Sequence, residues 1–304
     1  MTFGEFKLNH IGKVRDTYTH PAFADLLVIV ATDRVSAFDV VMTDGVLDKG
    51  RILTAMSDFW FKRLTGIVPT QEYGAVDLEL PGPWIGRTSF AKRAEMFPVE
   101  CVVRGYLAGS GLKDYQKTRT LFGHPQPAGL RLGSKLSEPV FTPTTKALEG
   151  HDEPITMDEV YNLIGREFGD ELSRISSELY LAADQICTQS GIVLADTKFE
   201  FGLIDGEIVL CDEVLTPDSS RFWEEKSVMA GNPVQYDKQI LRDWLEEVGW
   251  DKKPMPPQLP VQLLASLSIV YRVIYEQLTG LQLDDWPGAS SSAYLGERDL
   301  GIGR

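Results

Sequence analysis

Residues 191–223 read GIVLADTKFEFGLIDGEIVLCDEVLTPDSSRFW, two strand-like runs around an Asp-Gly turn signal. In the first run Val193, Ala195, Thr197, Phe199 and Phe201 alternate with Leu194, Asp196, Lys198, Glu200 and Gly202. Side chains alternate faces along a strand, so Asp196, Lys198 and Glu200 share one face and the aromatics share the other. The second run, Glu207 to Val214, brings Asp212 and Glu213. An acid–base–acid row opposed by another acid is unfavourable unless something cationic sits there. A metal ion with a polyphosphate meets that need.

Loop length decides what faces what. A two-residue loop, Asp205-Gly206, sets Asp212 opposite Phe199 on the apolar face. A three-residue loop, Ile204-Asp205-Gly206 with Gly206 left-handed, pairs Lys198 with Asp212. The charge row favours the second register, which puts Asp196 and Glu200 diagonal to Asp212 at about 7–8 Å. The competing reading is a solvated strand face with cross-strand ion pairs. Against it stand the apolar flanks GIVLA and EIVLC and the polar cluster from Pro217 to Arg221.

The chain around this hairpin reads as α+β. The first third is β-rich: a Gly-broken strand pair from Lys7 to Tyr18, then a buried strand from Leu26 to Ala31. Ile52, Leu53, Met56, Phe59, Trp60 and Leu64 recur at helical spacing until Gly66 and Pro69. Met96 to Val103 returns to strand. Gly123 to Pro154, rich in Pro, Gly and Thr, reads as an ordered functional loop. Thr156 with Glu159 forms a capping box for a helix running to Gln189. Two helices, Tyr236 to Val248 and Val261 to Leu278, close the chain. The expected division is a β-rich lobe over 1–105 and an α+β lobe with the hairpin and C-terminal helices over 106–304.

Composition narrows the function. The chain has 304 residues, 43% hydrophobic and 24% charged, ordinary for a soluble globular protein. A net charge of −14 argues against nucleic acid, whose binding rests on basic patches. Small anions need only a few cations, and Lys13/Arg15, Arg104, Lys146, Lys198 and Arg221 supply them. The three cysteines form no CxxC, which argues for a reducing compartment without a disulfide framework. No secretory signal opens the chain, and its longest aliphatic run is too short to cross a bilayer. The expected setting is cytoplasmic, with no membrane.

Several signatures are missing: GxxxxGK[ST], GxGxxG after a strand, HExxH, GxSxG and an HRD…DFG pair. Gly12-Lys13-Val14-Arg15-Asp16 reads either as a loop closing over phosphates or as an exposed amphipathic strand. Arg104 to Ser110 offers a guanidinium, a hydroxyl and glycines, either an anion cradle or a surface turn. In Asp218-Ser219-Ser220-Arg221 the arginine either grips a phosphate or caps a helix starting near Trp223. His151-Asp152 reads as a polar loop pair, and the four histidines form no cluster.

Taken together, GKVRDTY, ATDRVSAFDVVM, SDFWFKRL, PVECVVRGYLAGS, FTPTTKA, GIVLADTKFEFGL and LCDEVLTPDSSRFW resemble the phosphoribosylaminoimidazole-succinocarboxamide synthase (SAICAR synthetase) family, in its longer, yeast-like form. The motifs span Gly12 to Trp223 in order. The resemblance implies an ATP-dependent, ADP-forming ligase of purine biosynthesis that joins carboxyaminoimidazole ribotide to L-aspartate, with Mg²⁺. It implies a β-rich N-terminal lobe and an ATP-grasp-like α+β lobe, with ATP between them. It places Lys13 and Arg15 at the ATP phosphates, Lys198 and Glu200 on the ATP side, and Asp196 and Asp212 on the metal, with Lys198, Asp196 and Asp212 as the catalytic set. Glu100, Arg104, Ser110 and Arg221 face the ribotide, and Lys146 faces L-aspartate. The alternatives are a carboxylate–amine ligase with another acid or amine, which would not need Arg104, Ser110 and Arg221 together, or a nucleotide-binding protein without turnover, which would have lost a metal carboxylate.

Overall fold

The computed structural model describes residues 2–74, 76–146 and 152–289. Ala147 to His151, part of the expected functional loop, lie outside the described residues. Two sheets organise the fold. The first runs β1 (Phe6–Ile11), β2 (Arg15–His20), β3 (Phe23–Ala31) and β4 (Thr88–Lys92), all antiparallel, with Thr2–Phe3 on its edge. Leu26, Val28 and Val30 alternate along β3, so one face of the sheet buries them with Phe6, Tyr18, Trp84 and Phe90.

The second sheet is built from β5 (Val99–Tyr106), β6 (Lys135–Phe141), β7 (Ile192–Ile204), β8 (Glu207–Cys211) and β9 (Ser220–Glu224). Strand β5, inside the expected first lobe, belongs to this sheet, so the chain changes sheet after Lys92 rather than near 105. β7 is its spine. On one side it pairs with Glu95–Met96 and β5, and on the other with β8 and then β9.

Helices flank both faces of the second sheet. They are α1 (Lys49–Leu64), α2 (Gly109–Thr118), α3 (Met157–Ile164), α4 (Arg166–Gln189), α5 (Gln239–Glu247) and α6 (Val261–Thr279), besides a short Glu225–Met229 turn of helix. Leu172, Ile175, Leu179, Ala183 and Cys187 of α4 pack with Cys101, Val103, Phe199 and Phe201 in the main core. α6 lies against α1, burying Leu267, Tyr271, Ile274, Tyr275 and Leu278 at helical spacing. The capping box at Thr156 and Glu159 is present. The long helix expected after it is broken at Gly165, whose φ of 84° and ψ of 157° leave the helical region. The segment expected as a loop from Gly123 holds strand β6 and a short Thr144–Thr145 pairing with β5. Among the described residues, no helix is long and apolar enough to cross a membrane.

Candidate active site

The hairpin takes the two-residue loop. Ile204 pairs with Glu207 and Glu200 with Cys211, with Asp205 at φ 53° and Gly206 at φ 82°. Positive φ at both loop positions is the turn that Asp-Gly favours and that matches strand twist. The expected pairing of Lys198 with Asp212 is therefore not formed. Asp212 nevertheless avoids the apolar face, because β8 ends at Cys211 and Asp212 itself turns left-handed at φ 62°. The chain then makes an excursion over 212–219 and rejoins β7 where Thr197 pairs with Ser220.

A second local device re-aims the charged row. Leu194 opposes Phe222 and Asp196 opposes Arg221, so Ala195 is an extra residue, a bulge. Before it Ile192 and Leu194 face the main core; after it Phe199 and Phe201 do, both fully buried. Val193 and Ala195, expected with the aromatics, pack instead with Trp223 and Ala108. Asp196, Lys198 and Glu200 are left on the opposite face of the sheet, as their alternation with Thr197, Phe199 and Phe201 requires.

Asp196 is flanked on both sides by arginines at its own level. Arg104 on β5 and Arg221 on β9 are its direct partners across the sheet. Arg104 Nη1 reaches Asp196 Oδ2 at 3.0 Å, and Arg221 Nη1 reaches the same oxygen at 2.6 Å. Arg104 also donates from Nε to Thr142 Oγ1 at 2.9 Å and from Nη2 to Ser110 Oγ at 3.2 Å. Ser110 sits in the first turn of α2. Gly109 before it has φ 49°, and a Cβ there would lie 2.3 Å from Arg221 Nη2, so only glycine lets the helix start approach the guanidinium. Burial works against the charge on Arg104, with Asp196 supporting it and Arg221 opposing it, and its pKa is lowered. Two guanidiniums and a helix N-terminus converge on Asp196, with Asp237, Asp243 and Arg242 also acting on Arg221, an arrangement chemically suited to an anion.

Further along the same face, Lys198 bonds Glu100 and lies 3.4 Å from Glu200. Lys146 bonds Glu200, and Thr144 Oγ1 donates to Glu100 Oε2 at 3.1 Å. Burial opposes the ammonium of Lys198, but Glu200 and Glu100 outweigh it and hold its pKa above the usual value. Burial likewise opposes the Glu200 carboxylate, and Lys198, Lys146 and Arg15 outweigh it in turn.

A third cluster joins the two sheets. Arg15, from β2, forks onto Asp212 with Nη1–Oδ1 and Nη2–Oδ2 both at 2.7 Å, and reaches Glu213 at 3.5 Å. Burial raises the pKa of Asp212, Arg15 opposes that, and Glu200 and Glu213 add to it, so these carboxylates share one neighbourhood. Lys13 stands apart, 53% exposed at its side chain and paired with Asp39 at 2.5 Å. Its loop is tight: Gly12 N donates to Arg15 O at 2.8 Å, and a Cβ at Gly12 would lie 2.7 Å from that oxygen.

The structure thus brings together Asp196, Arg104, Arg221 and Ser110 in one group, and Lys198, Glu100, Glu200, Lys146, Asp212 and Arg15 in another. It does not bring Asp196 beside Asp212. Asp196 is four residues from Glu200, about 13 Å along an extended strand, and its oxygens are taken by two arginines. Sequence reasoning missed Arg34, which braces the Gly12-Lys13 loop by donating to Gly12 O at 3.0 Å and Lys13 O at 3.1 Å while pairing with Asp16. It also missed Glu213 as a partner of Arg15 and the strand that delivers Arg221.

The SAICAR synthetase family profile matches residues 8–257. The chain belongs to the SAICAR synthetase family. A curated relative from Thermodesulfovibrio yellowstonii, a phosphoribosylaminoimidazole-succinocarboxamide synthase, is 47% identical over 281 residues, covering 90% of this chain and 95% of its own. The Saccharomyces cerevisiae SAICAR synthase solved in complex with SAICAR superposes with a TM-score of 0.78 at 37% identity, covering 92% of this chain and 96% of that one. A type-2 SAICAR synthetase solved in complex with ADP gives 0.69 at 27%, covering 91% and 99%. Members of this family are the ATP-dependent ligases that form SAICAR in purine biosynthesis, and this chain is one of them.

Proposed function

We propose that the chain joins the carboxylate of carboxyaminoimidazole ribotide to the amine of L-aspartate through an acyl phosphate, releasing ADP and phosphate. A carboxylate is inert toward amines, so one of its oxygens first attacks the γ-phosphorus of ATP and ADP departs. The aspartate amine then attacks the acyl carbon, and phosphate leaves with the original carboxylate oxygen. Both steps bring anions together, so positioning and charge neutralisation govern them.

The observation that carries this reading is the pair of charge clusters along one face of β7, one around Asp196 and the other around Lys198 and Glu200. Arg104, Arg221 and Ser110 take the ribotide phosphate. Arg15 and Lys198 lie toward the nucleotide phosphates, with Lys13 at the rim on its own loop. Relatives solved in complex with SAICAR and with ADP support a ribotide site and a nucleotide site. Labelling the ribotide carboxylate with ¹⁸O tests the route: the released phosphate should carry one label, and unlabelled phosphate would rule out the acyl phosphate.

Mg²⁺ is the cation this family reading implies. Among the described residues no three acidic, histidine or cysteine side chains converge as a ready cage. Mg²⁺ at phosphate-transfer sites needs only one or two carboxylates, substrate phosphates supplying the rest. Glu200 and Asp212 fit that role, since the Glu200 charge opposes ionisation of Asp212 and Arg15 serves both. Asp196 fits it poorly, held between two arginines and four residues along the strand from Glu200. When bound, the ion would neutralise phosphate charge.

Two expected results follow from this assignment. Arg104→Lys removes the planar fork that spans Asp196, Thr142 and Ser110, and should weaken ribotide binding by roughly 1.5–3 kcal/mol with ATP affinity nearly unchanged. Calorimetric titration of each ligand checks this, and an equal loss for ATP would reject the ribotide role. Lys146→Ala should chiefly raise the L-aspartate concentration needed for turnover. Steady-state kinetics with each substrate varied decide it, and a variant that responds normally to aspartate but loses ATP would place Lys146 on the nucleotide side.

A further inference from the structure

The excursion between β8 and β9 links the two clusters, yet nothing in their chemistry explains what holds it in place. Glu213 touches Arg15, and Thr216 Oγ1 donates to Glu213 Oε2 at 2.8 Å. Asp218 N donates to Thr216 Oγ1 at 3.2 Å. Ser219 O accepts from the backbone of Lys198 at 3.1 Å, and Ser220-Arg221 then enters β9. Val214, Leu215 and Thr216 are fully buried, with Leu215 left-handed at φ 52°. A non-glycine residue in that region persists only when its surroundings hold it.

The anchor is a buried charge. Asp218 Oδ2 lies 2.8 Å from Lys49 Nζ of α1 and 3.9 Å from Lys238 Nζ, while Tyr271 of α6 donates its hydroxyl to Oδ1 at 2.6 Å. Lys49 is fully buried and the Asp218 side chain is 2% exposed. Buried pairs of this kind add little net stability but impose geometry, because a misplaced partner leaves a bare charge in the interior. Lys238 N also donates to Pro217 O at 3.4 Å, a second tie on the same turn.

We infer that Tyr271 and Asp218 are positioning residues for the ribotide site: the C-terminal helix α6, through the Tyr271–Asp218 bond, sets where Ser220-Arg221 enters β9 and hence where the Arg221 guanidinium stands. This rests on the proposed function, in which Arg221 binds the ribotide phosphate. Tyr271 lies beyond residues 8–257 that the family profile matches. The ribotide side should feel its loss more than the nucleotide side, because Arg221 follows Asp218 by three residues while Glu213 is held by Thr216 and Arg15 together.

Tyr271→Phe tests this with little threat to folding, since only the hydroxyl goes. The control is Tyr275→Phe, one turn along α6, which removes a buried hydroxyl that does not bond Asp218. The expected result is a ribotide KM raised roughly tenfold in Tyr271→Phe, with the KM for ATP and kcat within about threefold of the parent, and a ribotide KM within about twofold in Tyr275→Phe. A Tyr271→Phe enzyme with the parent's ribotide KM overturns the inference, as does an equal rise in both variants, which would mark general loosening of α6. Absence of turnover in the parent would reject the proposed function and this inference with it; a parent that turns over, with an unaltered Tyr271→Phe, rejects this inference alone.

Discussion

Asp212→Asn is expected to fold normally and to lose at least ~100-fold in turnover, the scale of removing one key electrostatic group from a site that handles phosphate. Asparagine keeps the size of the side chain and part of its hydrogen bonding to Arg15. It removes the negative charge that, with Glu200, is available to a divalent cation. Neither Asp212 nor Arg15 is sealed from water, their side chains being 28% and 21% exposed, so loss of the pair should alter stability modestly. Thermal melting and kcat measured across a range of Mg²⁺ concentrations separate the two effects. Normal Mg²⁺-dependent turnover in this variant would remove Asp212 from the site.

Phe199→Ala should do the reverse. Phe199 is fully buried beside Phe201, with ring centroids 6.3 Å apart, in the core that α4 covers. Truncation there leaves a cavity that a β-strand cannot collapse around, and the expected loss is ~3–5 kcal/mol of folding stability. The neighbouring Lys198 and Glu200 point to the other face, so the folded fraction should still bind nucleotide and ribotide. Chemical denaturation with ligand titration on the folded protein checks both parts. A loss below ~1 kcal/mol would mean that the apolar face is not where this residue contributes.

The two faces of the spine strand were legible because period-two alternation is strong from Asp196 to Phe201. The phase change at Ala195 was not, since a bulge depends on what pairs across the sheet, and β9 begins 25 residues later. That strand itself was hidden: SSRFW reads as a cap and helix start until Trp223 is seen opposite Val193. The three-residue loop expected from the charge row, with Lys198 facing Asp212, does not form. The preference of Asp-Gly for the two-residue turn won, and a left-handed Asp212 rescued the polar placement.

The arginine cradle shows the same division. Arg104, Ser110 and Arg221 were recognisable as anion-binding types, and family resemblance grouped them. That Asp196 would sit between the arginines needed the registers of two strand pairs at once. The short strand segments inside Gly123 to Pro154 escaped notice because prolines and glycines interrupt their alternation. The Tyr271–Asp218 bond joins residues 53 apart, from a helix and a turn, and carries no local signal at all.

Sustained ADP release by the purified protein supplied with ATP, Mg²⁺, carboxyaminoimidazole ribotide and L-aspartate tests the central claim most directly. Release should depend on all of them, stop when the ribotide is omitted, and fail to sustain itself without aspartate. Equal release without the ribotide, or with an unphosphorylated acid in its place, would contradict a site built around Arg104, Arg221 and Ser110.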